Sequence, residues 1–215
     1  YTARQAYRAF NARLLAEETP DDDEIVLTSG KSYSNVFHAN GGSASFSVMA
    51  NTLRGVYGTD VLLATANSFT GSVLQADYNQ KMAASMIMPN GLMSRQRTMT
   101  GAELKETVHA FVEGCEGGFV PFNRGSLPVV SGIAVEVKEN NGSYTLTGIT
   151  RNGQPLGDND TVTVTCLATE KQMEALLASD SGTSVGEDTW VKNTWRDYIS
   201  GGAALAEPEN YITLR

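Results

Sequence analysis

The sequence predicts an α+β fold: a single mixed α/β domain with a mixed sheet flanked by helices and a β-hairpin late in the chain. Three features of the sequence point there. The run "TDVLLATA", Thr59 to Ala66, is apolar and continuous over strand length, as in a strand buried on both faces. Thr100 and Glu103 stand ahead of an apolar stripe in the T-x-x-E pattern that starts a helix. The β-rich runs "GIAVEVKE" and "YTLTGIT" flank an Asn-Asn-Gly turn and predict a hairpin. Helices and strands alternate early and hairpins gather late, which sets the class.

In chain order, Ala3, Ala6, Tyr7, Phe10 and Leu14 fall at helical spacing with Arg4, Arg8 and Arg13 between them, an amphipathic helix over residues 2–17. Pro20 stops it, and "EETPDDDE" makes a solvated acidic linker. Residues 1–24 are thus a lead-in helix and linker, and residues 25–215 the domain. The chain starts at Tyr1 and reads as a piece of something longer. "EIVLTSG" predicts a short strand and residues 29–45 a loop. "FSVMANTLRGVYG" predicts a helix that stops at Gly58. "QADYNQKMAASM" predicts a second, short helix.

A polar strand then ends at Thr100. Its Arg95 and Arg97 alternate with Ser94 and Gln96 and so share one side, read as a solvated face. In the helix that follows, Leu104, Val108 and Phe111 share one face, with His109 beside it, and Glu113-Gly114 ends the helix. After the hairpin, "TVTVTCLA" predicts a strand and "EKQMEALLAS" a helix. "DTWVKNTWRDYISGG" predicts a helix capped by Asp188 or Thr189, and "NYITLR" an edge strand.

The net charge of −8 and the lack of a basic patch exclude a nucleic-acid polymer as partner, though a small anion needs only a local cluster of donors. No apolar run approaches the roughly 20 residues of a membrane span. Cys115 and Cys166 are either two buried free thiols or a disulfide; neither belongs to a CxxC pattern, which argues against zinc. His38 and His109 sit in no metal or catalytic motif, and Asp158 and Asp160 lie where turn chemistry alone favours Asp.

The pieces Asp60 to Asn67, Pro89-Asn90-Gly91-Leu92 and Met99-Thr100-Gly101-Ala102-Glu103-Leu104 resemble, in order and spacing, the C-terminal domain of the 5′-nucleotidase family. "LPVVSGIAVEV", "GITRNGQPLGDNDTVTVTCLA" and the closing "TWVKNTWRDYIS" and "NYITLR" extend the likeness over roughly residues 30–215, and the lead-in helix suits the connector between that family's two domains.

The resemblance implies a substrate-recognition domain that works beside an N-terminal metallophosphatase domain and binds a nucleotide or nucleoside. It also implies a secreted bacterial protein, extracellular, cell-surface or periplasmic. The family's two metals sit in Asp-x-His, Gly-Asp and Gly-Asn-His motifs, and neither of this chain's two histidines, His38 and His109, belongs to one. No catalytic residue, metal ligand or cofactor is therefore expected here, and divalent metals only in the partner domain.

Asn67 stands at the place of the family's asparagine, with Ser68 beside it, but "NSFTGSV" replaces Asn-Gly-Gly-Gly-Ile-Arg and brings no arginine. "HANGGSAS" also lacks the upstream arginine, Asn51 stands for an Asp, and "ATEKQMEALLAS" replaces a Gly-Gly-Asp-Gly loop. "GGFVPFNRGS" offers Phe119, Phe122, Asn123 and Arg124, where a ring beside a guanidinium could stack a base and meet a phosphate. The plain alternative is a loop whose phenylalanines plug the core. At the level of function, the alternative is a degenerate, non-enzymatic structural or partner-binding module.

Overall fold

The computed structural model describes residues 24–88, 91–113, 128–141, 143–169 and 182–215. The expected lead-in helix, the acidic linker up to Asp23, Pro89-Asn90, Cys115, the loop with Phe119, Phe122, Asn123 and Arg124, and the helix "EKQMEALLAS" lie outside the described residues.

Strand β1 (Ile25–Ser29) opens the domain. The stretch after it holds no long element before Ser43, whose hydroxyl accepts the Phe46 amide at 3.4 Å and starts helix α1 (Ala44–Tyr57). Gly58, at φ 65°, closes α1 as a left-handed cap, as its sequence position predicts. Strand β2 (Val61–Thr65) is buried at every residue, and a 3₁₀ turn, Ala66–Ser68, follows it.

The expected helix "QADYNQKMAASM" is half strand. β3 (Ala76–Asn79) pairs antiparallel with β1, and only Gln80–Ala84 forms helix α2. Asn79 decides the boundary: its side-chain oxygen accepts the Met82 amide at 2.9 Å, so the helix cannot start earlier.

β4 (Met93–Thr100) runs into α3 (Gly101–Glu113) through the expected capping box. The Thr100 hydroxyl accepts the Glu103 amide at 3.2 Å, and the Glu103 carboxylate accepts the Thr100 amide at 2.7 Å. Leu104, Val108 and Phe111 are all buried, and α3 packs across β4 and the later hairpin. β5 (Pro128–Ser131) and β6 (Ala134–Asn140) are separated by Gly132 at φ 82°, where a side chain would meet the Asp60 carbonyl at 2.0 Å. β6 and β7 (Ser143–Arg151) make the expected hairpin, with Asn141 at φ 52° in its turn. β8 (Gln154–Pro155) and β9 (Thr161–Ala168) follow.

β10 (Thr183–Ser184) and β11 (Thr189–Trp190) both add to β4. Helix α4 (Val191–Ser200) is capped by Trp190 without any side-chain bond, which corrects the expectation for Asp188 or Thr189. Both of those residues are engaged elsewhere: Asp188 with Arg95, and Thr189 with the Ser94 hydroxyl at 2.7 Å. β12 (Ile212–Leu214) closes the chain as the expected edge strand, parallel to β6.

The mixed α+β class holds, but the strands divide among three sheets. The largest has the order β10-β4-β9-β2-β5, with β11 also on β4; β12-β6-β7-β8 form the second, and β1-β3 the third. The bend at Gly132 turns what reads in sequence as one long strand into members of two sheets. The core lies between α1, α3 and the sheets, around Met49, Leu53, Leu62, Leu104 and Val164. Trp195 of α4 is fully buried, and its indole N–H donates to the Ala83 carbonyl at 2.7 Å, which fastens α4 to α2.

Candidate functional site

β2 and β9 run parallel with Leu63 beside Cys166, so their carboxyl ends leave the large sheet at one edge. Antiparallel register brings the starts of the flanking strands there too: Pro128 of β5 lies opposite Thr65, and Met93 of β4 opposite Ala168. The carboxyl ends of parallel strands are where open α/β sheets take their ligands.

Asn67 and Ser68 lie together at this edge, in the 3₁₀ turn that ends β2. Phe69 anchors the turn from below, stacking on Phe46 with ring centroids 6.1 Å apart. From the side, the Met88 amide donates to the Ser68 carbonyl at 3.0 Å, and the Thr70 hydroxyl donates to the Ser85 carbonyl at 2.7 Å. The Asn67 side chain is exposed. Ser68 is only 1% exposed, and its hydroxyl has no hydrogen-bond partner among the described residues. A buried hydroxyl without a partner is costly, and a polar ligand atom reaching it would remove that cost. The turn thus presents the Asn67 carboxamide from a fixed backbone, with the Ser68 hydroxyl buried beneath it. Phe119, Phe122, Asn123 and Arg124 lie outside the described residues, and Pro128 is the first described residue beyond them.

Arg95 and Arg97 share one side of β4 as expected, but the solvated-face reading is corrected. Arg95 grips Asp188 through Nη2 at 2.6 Å and Nε at 3.0 Å, with both side chains less than a third exposed. Arg97 donates through Nη1 to the Gly182 carbonyl at 3.3 Å. Both arginines therefore hold the segment of β10 and β11 against β4. Asn51, where the resemblance expects Asp, is buried. It donates to the Glu207 carbonyl at 2.8 Å and accepts from the Ser131 hydroxyl, which is structural duty.

The opposite edge of the sheet holds a polar network that residue-by-residue reading missed. The Asp60 carboxylate accepts the Thr163 amide at 2.8 Å and the Thr163 hydroxyl at 3.0 Å, and pairs with Arg151. Arg54 donates to the Ser131 hydroxyl at 2.8 Å and reaches the Asp60 carbonyl at 3.5 Å. Burial pushes the Asp60 carboxyl up, but the Thr163 bonds and the charges of Arg151 and Arg54 outweigh it and leave the group below its ordinary value. Arg54, Asp60 and Arg151 line a cleft of about 360 Å³ together with Gly132, Gly153 and Glu209. Its charges balance, so it clamps the β7–β8 turn to the main sheet. The available signal was an Asp directly before a buried strand and an Arg directly before an Asn-Gly turn.

No group of three His, Cys, Asp or Glu side chains among the described residues could hold a metal ion. Cys166 is a free, buried thiol pushed up to about 12 by burial, so it is protonated and inert at neutral pH. His109 is half-buried on the rim of an apolar groove of about 560 Å³ between α3 and the β7–β8 strands. No helix among the described residues is long and apolar enough to cross a membrane.

With this geometry in hand, comparison with solved structures defines a class: the fold occurs as a part of larger hydrolase chains, nucleotidases among them. The chain is similar to a 5′-nucleotidase precursor from Thermus thermophilus, at a TM-score of 0.69 and 14% identity, over 99% of its own length and 43% of the other's. It is similar to the NAD nucleotidase of Haemophilus influenzae at a TM-score of 0.65 and 16% identity, over 97% of this chain and 41% of that one. The sulfate thiohydrolase SoxB of Thermus thermophilus matches at 0.69 and 14% identity, over 98% and 38%. The chain thus spans about two fifths of each of these proteins. No family model and no curated protein matches the sequence.

Proposed function

We propose that this chain is the C-terminal substrate-recognition domain of a 5′-nucleotidase-like phosphohydrolase, and that its partner is an N-terminal metallophosphatase domain of the same protein. The observation that supports the reading is the fold match with two nucleotidases over 97–99% of this chain but only 41–43% of theirs. On this reading the chain orients substrate and the partner domain supplies the metals and the water, a division of labour in which the metals polarise the phosphate. The proposed contacts are Asn67 and Ser68 at the end of β2, with Phe119, Phe122, Asn123 and Arg124 supplying stacking and the phosphate donor. An extracellular, cell-surface or periplasmic setting belongs to the same proposal.

A second reading is a degenerate module that keeps the fold and has lost the ligand. What favours it is the charge at the candidate edge. The connection over residues 66–75 contains no Lys or Arg, and Arg95 and Arg97 already hold protein partners. SoxB adds that proteins with this fold act on more than nucleotides.

The test is hydrolysis of a 5′-mononucleotide by the longer protein with divalent metal present. Activity that falls roughly 10-fold or more in kcat/KM on Arg124→Ala, through KM, supports the first reading. A longer protein without the di-metal motifs, or one that is active but indifferent to Arg124→Ala and Asn67→Ala, rules it out.

A further inference from the structure

Trp190 stands where local chemistry does not ask for a tryptophan. It caps α4, a position that favours Ser, Thr, Asp or Asn, and its side chain makes no capping bond. The core does not use it either. The residue is 49% exposed, and its indole has no hydrogen bond or ring contact among the described residues. The chain's other tryptophan, Trp195, is fully buried with its N–H on the Ala83 carbonyl. The backbone at Trp190 is nonetheless held on both sides: Trp190 pairs with Met93 of β4, and the Val191 amide donates to the Leu92 carbonyl at 3.1 Å. A large ring on a firm backbone, left half in water against the capping preference, is a broken local rule with no gain to the fold. Such positions mark functional sites.

The strand register places this ring at the edge that carries Asn67. Trp190 lies opposite Met93, and Met93 opposite Ala168. β2 and β9 run parallel with Leu63 beside Cys166, and two residues further on the same register sets Thr65 beside Ala168. Trp190, Met93, Ala168 and Thr65 thus form one row across the sheet, and residues opposite one another share a face. The row spans three strand spacings, about 14 Å, and it contains no charged side chain. Thr65 leads directly into the turn of Asn67 and Ser68. One ligand with a planar ring and a polar tail can bridge this row, its ring on the indole and its tail at the turn.

We propose that Trp190 is a ring-binding residue of this site, its indole stacking on the base of the nucleotide while Asn67 and Ser68 meet the sugar and phosphate. The proposal rests on the nucleotide reading of this edge and adds to it a contact from β11, at the end of the row away from Pro128 of β5. Every base has a π-face, so the stack supplies affinity for a base over a bare sugar phosphate and little choice between bases.

The test titrates the full chain with AMP and with ribose 5-phosphate, following tryptophan emission and the backbone amide shifts of Asn67 and Ser68 together. Trp195 is buried, so a ligand that quenches by contact reports on Trp190. AMP is expected to quench the emission saturably, and ribose 5-phosphate to leave it unchanged. Trp190→Ala is expected to weaken AMP binding about 5- to 100-fold, while Trp190→Phe keeps most of it. Trp190→Leu, apolar but without a π-face, is expected to bind AMP as poorly as Trp190→Ala at the wild-type urea midpoint, which separates lost stacking from lost folding. AMP that shifts the Asn67 and Ser68 amides yet binds Trp190→Ala as tightly as wild type overturns the stack and leaves the nucleotide reading standing. AMP that shifts neither amide overturns both.

Discussion

Thr100, Gly101 and Glu103 show how much one junction asks of single residues. The Thr100 hydroxyl and the Glu103 carboxylate satisfy amides at the start of α3, and the second oxygen of Glu103 accepts the Gly182 amide at 3.1 Å. Gly101 serves a different purpose: a side chain there would meet the Gly157 carbonyl at 1.9 Å, because its own amide bonds the Asp160 carbonyl at 2.7 Å. Thr100→Ala is expected to cost about 1 kcal/mol through the lost cap. Gly101→Ala should cost about 2–3 kcal/mol, because rigid backbone has to move. Urea unfolding of the two variants measures both, and equal losses would contradict this division of roles. Asp60 adds a pH dependence. Its folded value is depressed, so its contribution is present in full above the ordinary carboxylate range and is lost as pH falls through the folded value. Wild type should therefore lose stability relative to Asp60→Asn between about pH 6 and about pH 2. A gap that stays constant with pH would contradict the assignment.

Elements with dense local chemistry were legible in the sequence. The hairpin of β6 and β7, the buried strand β2, the glycine stop of α1 and the capping box of α3 were all readable there, because each is decided by residues within a few positions of one another. Where long-range pairing competes with local preference, sequence reading failed. "ADYN" became β3 because β1 offered it hydrogen bonds, and "TW" at 189–190 became β11 because β4 did. Asp188 illustrates the second case: by position it is a helix cap, yet its carboxylate lies on Arg95. A double-mutant cycle separates the two roles. Asp188→Ala is expected to cost about 0.5–1 kcal/mol in wild type and close to nothing when Arg95 is already Ala. A loss that persists without Arg95 would restore the capping role. The polar network of Arg54, Asp60, Arg151 and Thr163 was unreadable for the same reason, since its members come from α1, the start of β2, β7 and β9.

Over the whole molecule, the large sheet has two unlike edges. One carries the balanced clamp around Asp60 and serves the fold. The other gathers the carboxyl ends of β2 and β9 and presents Asn67 above the buried hydroxyl of Ser68, which has no partner among the described residues. The placement of Asn67 and Ser68 was legible, because a buried strand ends there in a polar turn. That Ser68 is buried, with no partner among the described residues, follows from the packing of Phe69 and the bonds to residues 85–88. The central claim is that the chain recognises a nucleotide at the second edge, and the most direct measurement is a titration of the chain with AMP followed by backbone amide NMR shifts. The account predicts saturable shifts concentrated at Thr65–Phe69, Leu92–Met93 and Ala168, lost in Asn67→Ala with Ser68→Ala. Shifts confined to the cleft of Arg54, Asp60 and Arg151, or none up to about 10 mM nucleotide, would contradict it.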